Sequence, residues 1–160
     1  RVTCLKLQKI TQTVMLNLKT MIGKWNGKYW FSENVPNDLK DRETEFELII
    51  DNYFNSKISG TISDDTRMGG TKGIGNFSGT IKGNEIKFVK RMPISTCVLP
   101  DGSRIEENKP HRPIYYKGII DLETNSIKGT WKFKIEIGFV KGRLAFFPGT
   151  KGEWEMHKAK

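Results

Sequence analysis

The chain has 160 residues, 36 % hydrophobic and 28 % charged, with 16 glycines and a formal net charge of +9. That length suits one domain with a core of its own, and the composition excludes a disordered chain. No apolar run approaches the roughly 20 residues that a membrane-spanning helix needs.

The two cysteines, Cys4 and Cys97, are too few for a disulfide framework and cannot form a metal site by themselves, which points to a reducing, cytoplasmic setting. The positive charge is unevenly placed. Residues 1 to 22 carry four bases and no acid, and residues 128 to 160 carry eight bases against three acids. Between them the charges cancel. Lysines on the solvent faces of strands keep a sheet soluble and protect its edges, so nucleic acid is not the expected partner.

Residues 1–22 read as an N-terminal extension, helical or irregular, because Leu7, Ile10, Val14, Leu18 and Met21 follow steps of three and four while Thr11, Thr13 and Thr20 weaken the pattern. The domain proper is expected over residues 23–160. From Gly23 the sequence alternates: Trp25, Gly27, Tyr29 and Phe31 share one phase of a long first strand. Phe46, Leu48 and Ile50 carry the inner face of a second strand, and Asn52 to Asn55 reads as the turn that ends it. Ile58 to Ile62 forms a third strand. Asp64 to Gly75 is a glycine-rich connection, and because it leads into a strand rather than a helix it lacks the setting of a phosphate-binding loop. Phe77 and Ile81 mark a fourth strand, which Gly83-Asn84 turns into a fifth with Ile86 and Phe88 facing inward.

Four prolines between residues 93 and 113 exclude a central strand there, while Asp101-Gly102 predicts a small hairpin over Val98 to Ile105. Tyr116, Gly118 and Ile120 define a sixth strand. The seventh has the cleanest alternation, Ile127, Gly129, Trp131, Phe133 and Ile135 against lysines and a threonine. An apolar loop, Phe139 to Phe147, precedes an eighth strand that carries Trp154 and Met156.

One cassette recurs along this path. Ile58-Ser59-Gly60-Thr61-Ile62 has near copies at Phe77–Ile81, Tyr116–Ile120 and Ile127–Trp131, each setting a glycine between two apolar groups on the same side. Interior glycine weakens a strand unless the sheet must bend or leave room there. The expected fold is therefore all-β, an eight-stranded antiparallel up-and-down barrel, with Gly27, Gly60, Gly79, Gly118 and Gly129 leaving space inside.

Gly23-Lys24-Trp25 at the head of the first strand resembles the signature of the lipocalins and the wider calycin barrels. The resemblance implies a Trp25 that plugs one barrel end, a base packing on it after the last strand, for which Lys158 is the positional candidate, and a ligand held inside. The family's second motif is absent, Ser63-Asp64-Asp65 being a poor substitute. Gly23 to Gly27 also resembles the opening pattern of nitrobindin-like haem barrels, which would make the late His157 a haem ligand. Alternation instead puts His157 outside, and no cofactor is expected.

The expected function is non-catalytic binding of a small hydrophobic or aromatic molecule in a cavity lined by Trp25, Tyr29, Phe46, Leu48, Ile58, Phe77, Phe88, Tyr116, Trp131 and Trp154. The apolar Phe139–Phe147 loop would serve as lid, portal or partner surface. Two alternatives stand beside it. One is a small barrel enzyme of isomerase or lyase type, with His111 and Arg112 at the mouth; the other is a basic interaction module on a filled barrel. No catalytic or metal-binding constellation is recognisable.

Overall fold

The computed structural model describes residues 20–33, 40, 42–98, 101 and 103–160. The proposed extension lies outside these residues as far as residue 19. Twelve strands follow in order: β1 (Gly23–Glu33), β2 (Thr44–Phe54), β3 (Lys57–Asp64), β4 (Ile74–Lys82), β5 (Glu85–Arg91), β6 (Ser95–Val98), β7 (Arg104–Glu107), β8 (Ile114–Asp121), β9 (Ser126–Lys132), β10 (Glu136–Val140), β11 (Arg143–Phe147) and β12 (Lys151–Lys158). Eight of them close an antiparallel barrel in the order β1-β12-β9-β8-β5-β4-β3-β2. The expected architecture is thus the observed one. The remaining four form two separate hairpins, β6-β7 and β10-β11.

Turn chemistry follows the sequence at one end of the barrel. Asn55 and Ser56 both adopt positive φ, 49° and 63°, between β2 and β3, as a tight two-residue hairpin turn requires. Gly83 does the same, at 60°, between β4 and β5. The turn expected at Asn52 falls later because β2 continues to Phe54 past a bulge between Ile50 and Asn52. That irregularity shifts the alternation, so Tyr53 packs against the core while Phe54 is exposed.

The glycines are a correction to the sequence reading. They were expected to leave room, but that room is occupied. Across the register Gly27 faces Phe46, Gly60 faces Phe77, Gly79 faces Phe88, Gly129 faces Trp154 and Gly152 faces Trp131. A β-carbon at Gly27 would run into the Phe46 ring, and one at Gly118 would meet Trp154 at 2.7 Å. At Gly60, Gly79 and Gly129 it would overlap a backbone carbonyl of the neighbouring strand, that of Ile49, Lys87 or Lys117. These glycines let the strands coil tightly, and at Gly27, Gly60, Gly79, Gly129 and Gly152 the facing aromatic supplies the missing packing.

The barrel interior is apolar apart from a buried ion pair near one end, while its outer strand faces carry ion pairs such as Lys24–Glu47 and Lys87–Glu85. A transmembrane barrel has the inverse arrangement. Among the described residues no helix is long and apolar enough to cross a membrane.

Gly129→Ala is expected to destabilise the fold by about 1–3 kcal/mol, since the overlap is with backbone. Thr130→Ala, on the outer face, should stay within about 0.5 kcal/mol of wild type. Urea unfolding measures both; equal tolerance would contradict the close-approach role of the glycine.

Candidate functional site

The two ends of the barrel differ. At one end the connections are the short turns at Asn55-Ser56, Gly83-Asn84 and 122–125, and there Trp25 is buried, donating its indole N–H to the Met21 carbonyl at 2.9 Å. Lys158 lies over the Trp25 ring, 5.2 Å from its centroid, and donates to the carbonyls of Thr20 and Ile22. The base expected on Trp25 is therefore in place. Partial burial pushes the Lys158 ammonium pKa down.

At the other end emerge longer connections, among them residues 65–73, 92–113 and 133–150. Barrel mouths of this kind are where ligand sites are commonly built. The expected ligand-lining residues Trp25, Tyr29, Phe46, Leu48, Ile58, Phe77, Phe88, Tyr116, Trp131 and Trp154 do come together, all buried in one cluster. They face one another. Phe88 stacks on Tyr116 with centroids 4.7 Å apart, Trp154 stands edge-on to both at 5.5 Å, and Phe77 meets Phe88 at 5.4 Å. The indole N–H groups of Trp131 and Trp154 are satisfied by strand carbonyls, those of Trp30 and Glu153 and of Lys117 and Thr130.

Towards the mouth this core ends in a buried ion pair that the sequence reading did not single out. Lys90 Nζ lies 2.5 Å from Asp64 Oδ1, and both side chains are 0 % exposed. Asp64 Oδ2 accepts from the Thr71 N–H at 3.1 Å and from the Tyr29 hydroxyl at 3.3 Å. The Lys90 ammonium also sits 5.2 Å from the Tyr29 ring centroid. Burial pushes the Lys90 pKa down, against the pull of Asp64, and raises the phenols of Tyr29 and Tyr116 well above their ordinary range, with the Asp64 charge adding to it. The signal was phase: Lys90 follows Ile86 and Phe88 at intervals of two, and Asp64 follows Ile58, Gly60 and Ile62.

Over the pair lies the 65–73 connection, where Asp65 caps a single 3-10 turn at Thr66–Met68 and Gly69 closes it in the left-handed region, φ 94°. Thr44 Oγ1 donates to the Met68 carbonyl at 2.9 Å, and Arg104 of β7 donates to the Gly70 carbonyl at 3.2 Å. The hairpin predicted over Val98 to Ile105 is present with longer arms, Ser95–Val98 pairing with Arg104–Glu107, and Arg104 joins it to this cover. His111 is buried beside it, its Nδ1–H donating to the Arg112 carbonyl at 2.7 Å, and burial holds its pKa below the usual histidine value. The Arg112 guanidinium packs on two rings, 4.1 Å from the Phe133 centroid and 5.1 Å from that of Phe147.

The stretch expected as an apolar loop is a second hairpin. β9 stops at Lys132 rather than reaching Ile135, and β10 and β11 turn at Lys141-Gly142, both at positive φ. Its register pairs Ile137 with Phe146 and Phe139 with Leu144 on one face. Those four are exposed, as is Ile135 just before them. The opposite face, with Gly138, Ala145 and Phe147, is partly covered and tied down: Lys109 Nζ donates to the Phe139 carbonyl at 2.8 Å, and Glu107 accepts from the Lys141 N–H at 3.2 Å. Ile135 and Phe146 also line an open depression with Phe133, Pro148, Lys132 and Lys151.

His157 points outward from β12, as the alternation requires, into a shallow groove with Asn26, Glu47 and Glu155. Among the described residues there is no group of three or more His, Cys, Asp or Glu side chains fit to hold a metal. Fold and mouth define a class, the closed eight-stranded up-and-down barrel with one elaborated end. Comparisons with family models, with curated proteins and with solved structures found no match for the chain.

Lys90→Met is expected to lower stability by about 3–5 kcal/mol, because it strands a buried carboxylate. Adding Asp64→Asn removes that charge but keeps an acceptor for Thr71 and Tyr29, and should restore most of the loss. Chemical denaturation of the single and double variants tests this; a double variant no better than Lys90→Met would contradict the paired-charge account.

Proposed function

We propose that this protein is a non-catalytic binding module of the lipocalin-like kind, in which a filled barrel holds out an apolar recognition surface at its long-loop end. The observation that carries the reading is the outer face of the β10-β11 ribbon, where Ile135, Ile137, Phe139, Leu144 and Phe146 are each 61–70 % exposed. Five large apolar side chains on one face of a tethered ribbon form a contiguous patch of the sort that marks a binding surface. The lipocalin-like part of the proposal is supported by the closed barrel and by Lys158 over the buried Trp25.

A small apolar molecule is better received on this surface than among the interior rings. Phe77, Phe88, Tyr116 and Trp154 already contact one another, and a ligand entering there would have to displace them. Catalysis has less support. Lys90 and Asp64 have acid–base chemistry, but both are sealed from solvent, and a general base must come within hydrogen-bond reach of its substrate.

Nile red, a neutral apolar dye, is expected to bind with enhanced fluorescence. Phe139→Ser/Phe146→Ser should abolish most of the signal while leaving the melting temperature unchanged, because both side chains are exposed. A double variant that keeps full dye binding would place the apolar surface elsewhere and overturn the proposal.

A further inference from the structure

We infer that the occupant of the β10-β11 ribbon is the surface of an anionic lipid bilayer; this rests on reading the ribbon's outer face as the recognition surface. The argument is one of charge and shape. Lys132 and Lys151, directly paired between β9 and β12, share the depression that holds Ile135 and Phe146. Lys134 precedes the ribbon, Lys141 sits in its turn and Arg143 opens its second strand. Ion pairs of the described residues leave Lys132, Lys134 and Arg143 without an acidic side-chain partner, although Lys134 lies 4.2 Å from the Tyr115 ring centroid, while Lys141 is held by Glu107 through its backbone N–H. The depression on the apolar side is therefore flanked by Lys132 and Lys151, with Lys134 and Arg143 in the alternate phase and Lys141 in the turn, in a chain of net charge +9.

An apolar face with a basic border is the arrangement by which peripheral elements lie in a bilayer interface, the side chains entering the acyl boundary and the cations meeting anionic headgroups. From Ile135 to Phe139 the apolar stretch spans about 14 Å, long enough to lie along the interface and too short to cross it. Lying flat also keeps the open strand edges among polar headgroups, where their free backbone groups find partners. The tethers from Lys109 and Glu107 hold the ribbon out from the barrel, so no refolding precedes contact. A second copy of the chain is a poorer occupant. A two-fold interface through this face would bring the Lys132 and Lys151 that share its depression towards the same cations of the other copy.

Co-sedimentation with pure phosphatidylglycerol and pure phosphatidylcholine vesicles tests the inference, with Nile red binding measured on the same samples. Wild type should bind phosphatidylglycerol strongly, bind phosphatidylcholine weakly, and lose binding as salt is raised. Lys132→Gln and Lys134→Gln should each lower the partition coefficient about fivefold. Phe139→Ser/Phe146→Ser should lower it by roughly tenfold or more at constant salt. Binding that survives this double variant would mean adsorption of a basic protein without the ribbon, and would overturn the inference. So would absence of binding to either vesicle while the ribbon still takes up dye, which would leave a protein partner or a second copy as the occupant. Loss of both signals in wild type would overturn the recognition surface itself.

Discussion

The barrel depends on a cross-strand pairing of glycine with an aromatic side chain. A closed sheet of eight strands must coil strongly, and its interior is just wide enough to be filled by side chains. Here Gly60 faces Phe77, Gly79 faces Phe88, Gly129 faces Trp154 and Gly152 faces Trp131, and the carbonyl of a neighbouring strand lies where the β-carbon of Gly60, Gly79, Gly129 or Gly152 would be. The same device satisfies two requirements: glycine permits the close approach, and the opposing ring fills the volume that glycine gives up. A barrel assembled this way has its interior committed to packing.

The recognition surface we propose lies instead at the long-loop end. There the core is topped by the Lys90–Asp64 pair, whose hydrogen bonds to Tyr29 and Thr71 fix β1, β3, β5 and the connection after β3 against one another. A buried pair of this kind adds little net stability but penalises any arrangement that separates its members. It thereby fixes the floor on which the loops rest. Above it, the β6-β7 hairpin supports the cover through Arg104, and its Glu107, with Lys109 just beyond it, steadies the β10-β11 ribbon. The apolar ribbon is thus held out from the barrel by the polar part of the mouth.

The barrel itself was legible because its strands are half-buried, and a half-buried strand writes its two faces into the sequence as alternation. Trp25 to Phe31 and Ile127 to Trp131 are read directly in this way. What alternation shows is which side a residue faces, not what meets it there. The glycine positions were therefore visible while the rings opposite them were not, since that pairing depends on register between strands far apart in sequence. Lys90 was passed over although it stood in the inward phase, because a charged residue reads as exposed unless its partner is known, and Asp64 is 26 residues away. The ribbon read as a loop for a related reason: an isolated hairpin with one apolar face outward breaks the rule that apolar means inside.

The barrel is filled with side chains, and we propose that apolar matter is received outside it. Backbone amide shift mapping by NMR during titration with decanol, a neutral apolar molecule, addresses both halves at once. The account predicts perturbations concentrated over residues 133–149, with the amides of Phe77, Phe88, Tyr116 and Trp154 unmoved. Perturbations centred on those four interior residues, with the ribbon silent, would contradict it.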